Sequence, residues 1–153
     1  MTMHTGPIAD ADAARVAHAA LDAAGADEAG GLDFRSAVDA HQQWRLRLQA
    51  VVEGRSREQL DPRLVGRDDQ CALGKWIQGD GARRFRGQRH FAELRARHAY
   101  FHVCAGRALV LAQSGHREAA AAEIGPTGEF TRLSRELLRE LTSLFLRIRG
   151  AAA

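Results

Sequence analysis

One thiol and three imidazoles in this chain can meet around a single ion: Cys71, His41 upstream of it, and His98 and His102 downstream. Together they form a complete ligand set for tetrahedral zinc, because Zn²⁺ is borderline-soft and takes nitrogen and sulfur donors in closed four-coordinate sites. His98 and His102 stand at i and i+4, so on a helix their imidazoles share one face one turn apart. Cys71 falls in the first turn of a short predicted helix, where the dipole and free backbone N–H groups favour the thiolate over the ordinary thiol pKa of about 8.5.

The competing donors separate by angle and by pattern. Cys104 lies two residues after His102, about 200° further round a helix at ~100° per residue, and reads as a small buried hydrophobe. His90 is two turns, or ~12 Å, from His98 along the axis, too far to share its ion. His4, His18 and His116 lie outside the patterned core. A catalytic reading of the His pair also weakens on the residues. His98-Ala99-Tyr100-Phe101-His102 lacks the glutamate that acts as general base in zincins, and four protein ligands leave no open position for water. We expect no enzyme.

The elements that must position these residues are helical. The spacing predicts a helix over 33–53, capped by Asp33, stopped by Gly54 and carrying Phe34, Val38, His41, Leu48 and Val52 near one stripe. After a loop over 54–69, Asp68 or Asp69 can cap a short helix over 70–78, and Gly79-Asp80-Gly81 reads as a turn. A long helix follows over 88–114, with Phe91, Leu94, His98, Phe101 or His102, Ala105, Leu109 and Ala112 repeating on its apolar side. A short segment over 117–124 is broken by Gly125-Pro126, and a last helix runs over 127–149. No stretch carries a strand signal.

Residues 1–31 are rich in Ala, Asp and Gly, with a weak helix near 10–24, and read as a flexible N-terminal tail; residues 32–150 read as the helical domain. At 153 residues and 45% hydrophobic content, one core of ordinary size is expected. No apolar run approaches the ~20 residues of a membrane span, and the first ten residues lack a signal-peptide pattern, so a cytoplasmic location is expected. With two cysteines, a disulfide framework is not indicated. A net charge of +3 does not by itself point to nucleic acid. The Arg83–Arg89 stretch could bind anions or nucleic acid, but a solvated loop and helix start accounts for it more simply.

Three motifs together resemble the chemoreceptor zinc-binding (CZB) domain of bacterial signalling proteins. His41 is followed closely by Trp44, then come Cys71-Ala72-Leu73-Gly74-Lys75-Trp76 and His98-Ala99-Tyr100-Phe101-His102; the resemblance extends over about 33–149. It implies that His41, Cys71, His98 and His102 ligate Zn²⁺, and that the fold is all-α, an antiparallel four-helix bundle with a short extra helix carrying the cysteine ligand. It further implies a homodimer and a regulatory role in chemotaxis or cyclic-di-GMP signalling. Such domains usually sit beside a chemoreceptor coiled coil or a diguanylate cyclase, so output is expected through a signalling partner chain. A hypochlorous acid sensor using the same cysteine is the alternative the resemblance carries. Around the ligands, Gly74 allows close helix approach, and Trp44 and Trp76 could seal the site against water. The last helix is apolar over more than one stripe (Phe130, Leu133, Leu137, Leu138, Leu141, Leu144, Phe145, Leu146, Ile148), which suggests that a second copy covers it.

Overall fold

The computed structural model describes residues 6–152, with side chains described for 12–150. Its order is α1 (Gly6–Ala24), β1 (Glu28–Ala29), β2 (Leu32–Asp33), α2 (Phe34–Val52), α3 (Pro62–Val65), α4 (Ala72–Gln78), α5 (Asp80–Phe85), α6 (Arg89–Gln113), α7 (Arg117–Ile124) and α8 (Glu129–Ala152). The described chain is mostly helical, as the all-α reading expected. The helices predicted over 33–53, 70–78, 88–114 and 117–124 recur within two residues of their expected ends, whereas the last runs over Glu129–Ala152, three residues beyond its expected end. Asp33 caps α2 through the Ser36 N–H at 2.9 Å, which fixes the rotation that turns His41 inward.

The N-terminal segment departs from the flexible-tail reading. Ala13, Ala14, Ala17 and Leu21 of α1 are buried, and α1 packs against both α8 and α2. Ala17 and Leu21 face Phe34 and Val38 of α2 and Leu141 and Phe145 of α8 across a small gap. Few large side chains are needed, because small ones let the helices approach closely. Residues 1–5 of that tail lie outside the described residues. The stretch read as a loose linker closes into a two-residue antiparallel ladder, Glu28 with Asp33 and Ala29 with Leu32. Its turn is made by Gly30 and Gly31, at φ 61° and 87°, a backbone region that glycine enters without steric cost.

The broad apolar face of α8 is accounted for within the chain. Phe130, Leu133, Leu137, Leu138, Leu141, Leu144 and Phe145 are all buried, because α6, α1, α2 and α7 approach α8 from different sides. Among the large apolar residues of this helix only Leu146 stands clearly exposed, at 51%. The argument for a second copy over this face therefore falls: α1 occupies the place given to it.

Two short helices were not anticipated. Asp61 caps α3 through the Arg63 N–H, with Pro62 in the first turn, a start signal that sat inside the predicted loop. The Gly79-Asp80-Gly81 turn opens directly into α5. No helix among the described residues is long and apolar enough to cross a membrane.

Candidate metal centre

Cys71 is itself the N-cap of α4, in place of the aspartates expected there; its Sγ accepts the Gly74 N–H at 3.3 Å. The cap conformation turns the thiol toward α6, where the buried rings of His98 and His102 stack edge to face at 4.7 Å between centroids. Cys71 Sγ lies 3.3 Å from His98 Nε2 and 3.8 Å from His102 Nε2. A tetrahedral zinc with Zn–S about 2.3 Å and Zn–N about 2.0–2.1 Å would hold sulfur and nitrogen about 3.5 Å apart. The thiol thus already stands near the spacing from each imidazole that the ion requires.

The remaining ring nitrogen of His102 is also accounted for. Nδ1 lies 2.9 Å from the Val65 carbonyl of α3; a carbonyl only accepts, so Nδ1 carries the proton and Nε2 keeps its lone pair for a metal. This acceptor depends on α3 lying close against α6. Gly106 permits that approach, since a Cβ there would stand 3.2 Å from the Pro62 carbonyl and 3.3 Å from Gly66 Cα.

His41 is buried and lines the same cavity, a partly open space of about 310 Å³ whose walls include Trp44, Cys71, His98, Phe101 and His102. It does not join the three converged donors, whose atoms lie within 4.8 Å of one another. Its Nε2 is instead 2.7 Å from Ser134 Oγ on α8, and its ring lies 4.8 Å from that of Phe101. The two tryptophans divide. Trp44 meets His102 edge to face at 6.2 Å and walls the site. Trp76 turns to the far side of α4, donating Nε1–H to the Gly30 carbonyl at 3.0 Å and packing on Phe34, Phe85 and Phe91. Its part is to anchor α4 to the hairpin, not to seal the site.

Burial sets the protonation states. It pushes the Cys71 thiol up, outweighing the N–H groups of Gly74, Cys71 and Leu73 that favour the thiolate. The dipole advantage expected from the sequence is thus lost to desolvation. Burial also drives His41 down to about 3, helped by the charge of Arg45 and by the two other histidines. His98 falls to about 3 through burial and His102. His102 is lowered by burial too, against its Val65 hydrogen bond and the Asp68 charge. At neutral pH the three imidazoles are therefore neutral, the form that binds metal. Bound zinc supplies the positive charge that deprotonates a coordinating thiol outright.

A second grouping, His90, Glu93 and Glu140, brings possible donor atoms within 4.8 Å at partly exposed positions. Glu93 is paired with Arg89 at 2.9 Å and Glu140 with Arg97 at 3.6 Å, so ion pairs account for both carboxylates. Cys104 is fully buried, as its helical angle indicated. In the Arg83–Arg89 stretch, Arg83 pairs with Asp80 and Arg89 with Glu93.

Fold and site together define a helical protein with a candidate metal centre of one cysteine and two histidines. Residues 41–109 match the family model of the chemoreceptor zinc-binding domain. The match contains His41, Cys71, His98 and His102 and stops before α7 and α8. Zinc is the metal of that domain family, which is a zinc-binding sensory and signalling domain of chemoreceptor and diguanylate cyclase type. No curated protein and no solved structure matches the chain.

Sequence reasoning missed two of the groups that meet these imidazoles, the Val65 carbonyl at His102 and the Ser134 hydroxyl at His41. The Val65 carbonyl could have been reached through the Asp61-Pro62 helix start. Ser134 had a signal as well: it is the one polar residue between Leu133 and the Leu137-Leu138 pair on the apolar side of α8.

Proposed function

We propose that the chain is a zinc-responsive regulatory domain without catalysis of its own, in which Cys71, His98, His102 and His41 hold one zinc and a signalling partner reads its occupancy. The observation that carries this is the meeting of the Cys71 thiol with two neutral imidazoles at 3.3 and 3.8 Å, across two elements of the chain. His41 is the fourth donor on this reading, because it is neutral and buried in the wall of the same cavity. The antiparallel four-helix bundle is built by α1, α2, α6 and α8, with α4 as the short helix bringing the cysteine.

Occupancy can act as a signal because the donors are unequally anchored. His98 and His102 ride a 25-residue helix packed along its length, whereas Cys71 sits at the start of a seven-residue one held at its far end by Trp76. Removing the ion frees the Cys71 end of α4 and the Val65 turn together. Hydrogen exchange with and without a chelator is therefore expected to rise most over residues 62–74, with α6 and α8 nearly unchanged. A uniform rise along all helices would mean that zinc is a structural staple and carries no switch.

One observation favours a redox use of the same site. Cys71 is only half-buried and borders a partly open cavity, while Cys104 is inaccessible, so an oxidant that enters meets Cys71 alone.

A further inference from the structure

Ser134 is wholly buried on α8, among Phe130, Leu133, Leu137 and Leu138, which are buried as well. A hydroxyl on such a face is costly unless it is hydrogen-bonded. Thr131 and Thr142 of the same helix solve this locally, donating to the carbonyls of Ile124 and Leu138. Ser134 meets His41 Nε2 on α2 at 2.7 Å, across 93 residues of sequence. Its hydroxyl is thus directed at the one histidine of the centre that the converged donors do not include.

We propose that Ser134 is a positioning residue for the metal centre: it accepts the Nε2–H of His41, holds the ring in the tautomer whose Nδ1 lone pair is left for the metal, and so links occupancy to α8. The chemistry is that of His102 with the nitrogens exchanged, where Nδ1–H is held by the Val65 carbonyl and Nε2 is left free. The other donors do not lie on α8: Cys71 caps α4, and His98 and His102 belong to α6. The link to Ser134 also extends the centre beyond the matched segment 41–109. The inference rests on His41 being the fourth donor.

A double-mutant cycle on the full chain separates the two claims, with zinc affinity measured by chelator competition. Ser134→Ala is expected to weaken binding about 10–100-fold, the usual effect of losing an outer partner. His41→Ala should weaken it at least as much, and the double variant no more than His41→Ala alone. Wild-type affinity in Ser134→Ala would overturn the proposal, as would equal losses in both backgrounds, the mark of a general packing role. Wild-type affinity in His41→Ala would instead overturn the fourth-donor reading on which the proposal stands. Long-range ¹⁵N–¹H spectra of the zinc-loaded wild-type chain test the tautomer without any variant. Nε2-protonated His41 is expected, and Nδ1-protonated His41 would contradict it.

Discussion

A Gly74→Ala variant is expected to melt at a lower temperature than the parent and to bind zinc at least tenfold more weakly. On an ordinary helix the substitution has the opposite sign, since alanine is favoured over glycine by about 0.5–1 kcal/mol in helix interiors. Here a Cβ would overlap the Asp68 carbonyl oxygen and stand 3.2 Å from His98 Cε1. The first obstacle is backbone, which cannot rotate away, so α4 has to move. Overpacking of this kind costs roughly 1–3 kcal/mol. The displacement falls on the helix whose cap is Cys71, and the spacing of 3.3 and 3.8 Å to the imidazoles cannot survive it unchanged. Thermal melts and chelator competition on the same preparation decide the matter. A stabilised variant with parental affinity would show that α4 is not wedged between the Asp68 turn and α6.

The second large effect is expected from deleting residues 1–24. A flexible tail could be removed without consequence. In the structure α1 covers Phe34 and Val38 of α2 and Leu141 and Phe145 of α8, and its Ala17 and Leu21 are each buried to 2% exposure. Truncating one buried leucine to alanine costs about 2–5 kcal/mol, so Leu21→Ala is expected to show much of the loss and the deletion more. The exposed face of α8 should then seek another cover, and the shortened chain should self-associate at micromolar concentration. Denaturant midpoints and sedimentation velocity would show both effects. An equally stable, monomeric shortened chain would contradict the packing of α1.

The sequence revealed most where side-chain type and spacing act locally. Asp33 caps α2 where its sequence position indicated, and His98 and His102 face inward because i and i+4 share a helix face. The Cys71 cap was displaced by only two or three residues from the expected aspartates. What stayed hidden depended on partners distant in the chain. Ala13, Ala14 and Ala17 look too small to anchor a helix until α8 is placed against them. The Gly30-Gly31 turn looks like a linker until Trp76 reaches its carbonyl from 46 residues away. Ser134 offers only a polar interruption in an apolar stripe, and that becomes legible as a contact once α2 lies alongside. The thiol shows the limit of local electrostatics: a helix start argued for the thiolate, and burial prevailed.

Zinc K-edge X-ray absorption on the purified chain, together with metal analysis, tests the central claim most directly. The site predicts one zinc per chain, with one sulfur at about 2.3 Å and nitrogen scatterers at about 2.0–2.1 Å carrying the outer-shell pattern of imidazole. The sulfur shell should vanish in Cys71→Ala and persist in Cys104→Ala. Zinc bound with no sulfur neighbour, or a sulfur shell retained after Cys71 is removed, would contradict the assignment.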